Sequence, residues 1–160
     1  MSQNKSCLLT ENIEKITKRD GRPHSLTEFE PKATALIVID MQNFYIARDH
    51  LSYCEYAEAI VPNVNKLANS MRHFGGKVIW VRNVTNAEGF KGWGAHYDRM
   101  TRERISTRKK ELAKDGNGFK FWEGLDVRKD DPKVNKIRYS AFIPGASNIE
   151  KILGQNGLNT

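Results

Sequence analysis

The stretch ATALIVID, Ala33–Asp40, decides the fold. Its aliphatic and β-branched residues leave neither face of an extended chain polar, so both faces need cover. Such a strand belongs inside a parallel sheet with helices packed on either side. The run closes on a carboxylate, Asp40, and Met41–Asp49 follows as a loop at the strand's carboxyl end. Open α/β sheets bind their ligands beyond the carboxyl ends of the strands. Asp40 is therefore a candidate functional residue by position alone.

Downstream, Tyr56, Ala59, Ile60, Val64, Leu67, Ala68, Met71 and Phe74 recur near 3.6-residue spacing and predict a helix over 55–74. Pro62 either kinks that helix or marks the first turn of its main part. Gly75-Gly76 ends it, and Lys77–Arg82 (KVIWVR) reads as a second strand, parallel to the first across the helical crossover. Residues 83–120 are the least regular. Gly89, Gly92 and Gly94 surround Trp93, and the basic stretch Asp98–Lys114 is expected to be helical. An insertion of this size beyond a strand's carboxyl end suits a lid or wall over a site. Val134–Arg138 reads as a third, short strand. Ser147, with Glu150 three residues on, forms a capping box for a helix over 148–155. Upstream, residues 1–30 are polar and read as an irregular N-terminal extension, distinct from a domain over 31–160.

The composition supports a globular protein: 39% hydrophobic and 28% charged over 160 residues. No apolar run approaches the roughly 18–20 residues of a membrane helix, and no signal-peptide core is evident, so a cytoplasmic location without membrane association is expected. The two cysteines, Cys7 and Cys54, show neither metal-ligand spacing nor a disulfide framework and read as reduced thiols. The formal charge of +7 owes much to Arg99, Arg102, Arg104, Arg108, Lys109, Lys110 and Lys114. Asp98, Glu103, Glu111 and Asp115 are interspersed with them, so this run reads first as a solvated helix face, less readily as an anion-binding element, and least as a nucleic-acid site.

Two segments carry a resemblance. ALIVIDMQNFY (Ala35–Tyr45) and VNKIRYSAFIPGASNIEKILGQNGLNT (Val134–Thr160) resemble the opening strand and the lysine strand of isochorismatase-like cysteine hydrolases, in the same order and on the expected strand ends. The resemblance implies an α/β fold: three αβα layers, Rossmann-like, with a mostly parallel sheet that is incomplete at the C-terminus. It implies an Asp-Lys-Cys triad acting on a small-molecule substrate, with Asp40 and Lys136 as the matching aspartate and lysine. Asp40 would take the thiol proton and later activate water, and Lys136 would favour thiolate and carboxylate together. The matching cysteine would sit beyond the next strand. Neither Cys7 nor Cys54 matches it, so these residues alone are expected to be inactive and the chain to be a piece of a longer, homo-oligomeric parent.

Gln42, Asn43, Phe44 and Trp93 are candidates to line a substrate pocket. Tyr139 and Phe142 either line it or pack. His96 reads as a surface residue. Related nicotinamidases place an Asp-x-His cluster after the second strand, where this chain has Arg82-Asn83-Val84-Thr85; that departure disfavours a metal and nicotinamide, and no cofactor is expected. Phe142-Ile143-Pro144-Gly145 and the long insertion instead resemble the ureidoacrylate and N-carbamoyl amidohydrolase branch, which implies cleavage of a C–N bond. Two alternatives stand beside this reading: a non-catalytic interaction protein that pairs through its first strand's edge, and vinyl-ether hydrolysis of the isochorismatase type.

Overall fold

A computed structural model describes residues 3–24 and 28–158. The chain divides into two units, Met1–Glu30 and Pro31–Thr160. The first unit is not irregular, as its polarity suggests, but holds an 18-residue helix, α1 (Gln3–Asp20). Residues 3–20 lack Pro and Gly, and Glu11–Lys15 and Glu14–Lys18 have the four-residue spacing that supports a helix. Lys18 and Arg19 sit in the last turn, favourable to the helix dipole. Gly21, at φ +72°, ends it, donating its N–H to Thr17 O at 2.9 Å.

The second unit is built on a sheet of three parallel strands in the order β1 (Ala35–Ile39), β2 (Lys77–Asn83), β3 (Lys133–Lys136). β1 is shorter than Ala33–Asp40 at both ends. Pro31–Ala33 forms a 3-10 turn before it, and Asp40 leaves extended geometry after it. β3 likewise stops at Lys136, two residues short of Arg138. β2 is central and buried on both faces, as its sequence KVIWVRN requires. Val78 and Trp80 point into one core with Val38, Met41, Val61 and Ala68. Ile79 and Val81 point into the other with Val134, Ala141 and Ile149. The period-two alternation of side chains along β2 thus serves two separate hydrophobic layers.

Between β1 and β2 lie a short helix, α2 (Asn43–Ile46), a 3-10 turn over Glu58–Ile60, and α3 (Val61–His73), which contacts both strands. Pro62 stands in the first turn of α3, where its missing N–H costs nothing. The insertion after β2 forms α4 (Ala87–Lys91), α5 (Gly94–Tyr97) and α6 (Arg102–Glu111). α7 (Ile149–Gln155) follows β3, and its Ile149 belongs to the second core. The capping box is not made there. Asn148 is the N-cap and makes no side-chain cap bond, while Ser147 Oγ accepts from Ile149 N at 3.1 Å and donates to Ala141 O at 2.8 Å.

β1 pairs only with β2 among the described residues, which leaves its other side open. Ile39 is 51% exposed there. An apolar cleft of about 220 Å³ lies alongside, lined by Leu36, Val38, Ile60, Val64 and Leu67 among others.

Candidate active site

The parallel register brings the carboxyl ends of all three strands together. Asn83 pairs with Lys136, and Asp40 N donates to Val81 O at 2.8 Å, so Asp40, Asn83 and Lys136 stand at one end of the sheet. Gln42 fastens this end. It is fully buried; its Nε2 donates to Asn83 O (3.0 Å) and Phe119 O (3.1 Å), while its Oε1 accepts from Asn83 N at 2.7 Å. All of its hydrogen-bonding reach is spent on backbone, which gives Gln42 a positioning task rather than a place in a pocket wall. Phe44, also fully buried, packs edge-on against Tyr45 and presents no surface to a ligand.

Lys136 Nζ lies 2.9 Å from Asp40 Oδ2 and 3.3 Å from Arg138 O. Lys136 is only 1% exposed, so its ammonium depends on these partners. The other carboxylate oxygen, Asp40 Oδ1, is buried and has no hydrogen-bond partner. Asp40 has φ +60°, the only non-glycine at positive φ among the described residues. Left-handed backbone is costly for any residue with a Cβ, although Asp tolerates it better than most. Burial pushes the Asp40 carboxyl above the ordinary carboxylate range. Lys136, Arg108 and the Asn83 amide pull the other way and offset only part of that shift. A strained, desolvated carboxylate with one free oxygen beside a buried cation can accept a proton from a neighbouring group.

Around the pair stand Asn83, Tyr45 and Arg108. Asn83 Nδ2 donates to the Tyr45 hydroxyl at 3.2 Å. Burial and the nearby Asp40 raise the Tyr45 phenol above its usual value, and Arg108 and Asn83 oppose this. Asn43 is held to the insertion, its Nδ2 donating to Asn117 O at 3.2 Å. Trp93 and Tyr139 meet edge to face at 4.6 Å, and Phe142 is exposed.

His96, which reads as a surface residue in the sequence, is half-buried and stacks on Trp93 at 4.0 Å. Its Nδ1 shares a hydrogen bond with the Tyr139 hydroxyl at 3.0 Å, and its Nε2 is buried without a partner. Burial lowers its pKa, and Arg108 and Arg99 lower it further. Arg108, Tyr45 and Asn83 are the other residues that sequence reasoning passes over. A signal for Arg108 existed: with Ile105 and Leu112 it falls at i, i+3, i+7 on the one face of α6 that turns inward.

Cys54 is an exposed free thiol and makes no hydrogen bond to the orphan oxygen of Asp40. The side chain of Cys7 lies outside what the structure describes. Among the described residues no three of His, Cys, Asp and Glu are grouped to hold a metal ion, and no helix is long and apolar enough to cross a membrane.

Residues 34–160 match the isochorismatase domain. A probable inactive nicotinamidase of Arabidopsis thaliana is 32% identical over 127 residues, covering 78% of this chain and 61% of that protein. The ureidoacrylate amidohydrolase of Klebsiella variicola is 29% identical over 153 residues, covering 86% and 63%. The chain thus spans about three fifths of the length of these relatives. Among solved structures, a cysteine hydrolase from Pseudomonas syringae pv. phaseolicola superposes with a TM-score of 0.69 at 24% identity, covering 84% of this chain and 61% of that one. N-carbamoylsarcosine amidase from Thermoplasma acidophilum gives 0.59 at 22% identity, covering 79% and 64%.

Proposed function

This chain belongs to the isochorismatase family, and on that premise we propose that it supplies the aspartate and lysine of an Asp-Lys-Cys hydrolase that cleaves a C–N bond in a small amide or carbamoyl compound. The observation that carries the reading is the 2.9 Å contact between Lys136 Nζ and Asp40 Oδ2 at shared strand ends. The likeness to the Klebsiella variicola ureidoacrylate amidohydrolase supports the C–N bond as the target. The cysteine is proposed to come from outside residues 1–160, since Cys54, the described thiol, does not meet Asp40 Oδ1 and neither cysteine matches the family's position.

Each residue has a task that follows from its surroundings. Asp40 Oδ1 accepts the proton of the incoming thiol, and the thiolate forms its bond to the carbonyl carbon. The same proton then passes to the departing nitrogen as the C–N bond breaks. In the second half-reaction a water gives a proton to Asp40 and displaces the thiol. A base with a raised pKa holds the transferred proton better, which suits Asp40 to both directions. Lys136 anchors Oδ2 so that Oδ1 faces the chemistry, and its cation offsets the negative charge that develops there.

The test is release of ammonia from small amides and ureido compounds by the full product of the native locus. Asp40→Asn and Lys136→Met are expected to lower turnover about 10²–10⁴-fold with the circular dichroism spectrum kept. Near-normal turnover in Asp40→Asn would overturn the reading. Residues 1–160 alone are expected to show little turnover, and robust Asp40-dependent hydrolysis by them would remove the need for an external cysteine.

The open side of β1 favours a second reading, in which the chain assembles through that edge with a further copy of itself. Unpaired strand edges bordered by apolar surface recruit other strands. A monodisperse monomer in light scattering at high protein concentration would remove its support.

A further inference from the structure

We propose that Arg138 is a positioning residue whose guanidinium, braced against α4, fixes the carbonyl that orients the Lys136 ammonium; this rests on Asp40 and Lys136 being the reacting pair. Lys136 is almost wholly buried, and its Nζ donates to Arg138 O at 3.3 Å besides meeting Asp40 Oδ2 at 2.9 Å. A buried ammonium settles where its acceptors stand. The Arg138 carbonyl therefore decides, together with Asp40, where that cation sits.

The sheet ladder does not hold this carbonyl. β3 ends at Lys136, and residues 137–140 bend away from strand geometry. The side chain of Arg138 supplies the hold instead. Its Nη1 donates to Ile137 O, on the peptide just before it, at 3.0 Å, and to Gly89 O of α4 at 3.1 Å. Its Cζ lies 5.5 Å from the centre of the Trp93 ring. One residue thus joins the insertion to the reacting pair, with its side chain on α4 and its backbone on Lys136. Because Nη1 is committed to backbone carbonyls, its task is to hold the chain rather than a ligand.

The insertion is shaped to receive this guanidinium. Gly92 closes α4 at φ −90°, a conformation open to any residue, so the backbone does not ask for glycine there. Space does: a Cβ at position 92 would collide with Arg138 Nη2. Gly89, whose carbonyl takes the other contact, is fixed in turn by Asn86, which caps α4 by accepting from Gly89 N at 2.7 Å. The planar fork of Arg lies flat in such a slot while one nitrogen serves two carbonyls. The compact ammonium of Lys reproduces neither feature.

Carboxyl carbon titration of Asp40 in this chain tests the assignment. Arg138→Met is expected to move the Asp40 midpoint upward, by less than Lys136→Met does, because the ammonium is displaced rather than removed. In a Lys136→Met background the same change is expected to do little, since Arg138 acts through Lys136. Gly92→Ala keeps the charge of Arg138 but displaces its Nη2. It is expected to shift the midpoint in the same direction, and it keeps the test alive should Arg138→Met unfold. In the full product of the native locus, Arg138→Met is expected to lower kcat about tenfold with KM within about twofold, and Arg138→Lys to restore part of the loss. An unmoved Asp40 midpoint, a shift of equal size with and without Lys136, or a loss confined to KM would overturn the proposal. A failure of the Asp40–Lys136 reading appears as turnover that ignores Asp40, whereas a failure of the Arg138 assignment appears in the titration.

Discussion

Two ion pairs sit at opposite ends of β3 and are built to opposite rules. At the entrance, Asp131 is saturated with donors. Its carboxylate accepts from Arg72 Nε at 3.1 Å and from Arg72 Nη2, from the Trp80 indole at 2.8 Å and from the Arg128 amide at 3.0 Å. Arg72 in turn reaches Asp126, 2.9 Å from its carboxylate. Burial alone would raise the Asp131 pKa, but Arg72, Trp80 and the Arg128 amide outweigh it and hold the carboxyl below its usual range. At the exit, Asp40 meets one cation, keeps one oxygen orphaned and sits above its usual range. A charge met on every side stiffens the fold; a charge half met stays available to react.

The largest expected effect breaks the saturated end. Asp131→Ala leaves Arg72, whose side chain is 13% exposed, with Asp126 as its one remaining carboxylate, and leaves the Trp80 indole without its acceptor. Urea unfolding should show a loss of about 2–3 kcal/mol. Removing both charges at the other end, in Asp40→Asn with Lys136→Met, should cost no more than about 1 kcal/mol, because that pair contributes little net stability. Equal losses at the two ends would erase the distinction drawn between them.

Titration sharpens the comparison. The Asp131 pKa is lowered on folding, so its stabilising contribution is present above the unfolded value of about 3.9 and is lost as pH falls through the lower native value. The Asp40 pKa is raised, so its contribution has the opposite sense: present below about 3.9 and lost as pH rises through the higher native value. Carboxyl carbon chemical shifts should therefore show midpoints on opposite sides of the ordinary range. Lys136→Met should move Asp40 further up and leave Asp131 in place. An Asp40 midpoint below the ordinary range would mean that Lys136 prevails over burial and that the two ends are alike.

The same contrast explains what the sequence discloses. The parallel sheet, the crossover through α3 and the family resemblance are all legible, because they rest on local patterns: the apolar run before Asp40, the helical stripe from Val64 to Met71 and the motif around Lys136. The placing of Asp40 and Lys136 at one strand end follows from parallel pairing. What is not legible depends on contacts distant in sequence. The donors around Asp131 come from positions 72, 80 and 128, which no local window connects. Gln42 looks like a pocket residue beside the catalytic candidate, and only the backbone groups of Asn83 and Phe119 reveal it as a fastener. Arg108 is lost in a basic run whose charge hides its inward face. Polar α1 is missed for a similar reason, since hydrophobic periodicity is a poor guide where few apolar residues exist.

The smallest expected effect concerns backbone strain in the turn after β1. Asp40 holds φ +60°, a conformation that glycine adopts freely and alanine does not. Comparing Asp40→Gly with Asp40→Ala isolates that term, since both variants remove the carboxylate and leave Lys136 equally unpaired. Glycine ordinarily destabilises a position relative to alanine through the entropy of the unfolded chain. Here the order should reverse, with Asp40→Gly the more stable by about 1 kcal/mol in urea unfolding. Should alanine prove as good as glycine, the turn after β1 would be relaxed. The fixed aim of Asp40 Oδ1 would then have to come from Lys136 alone.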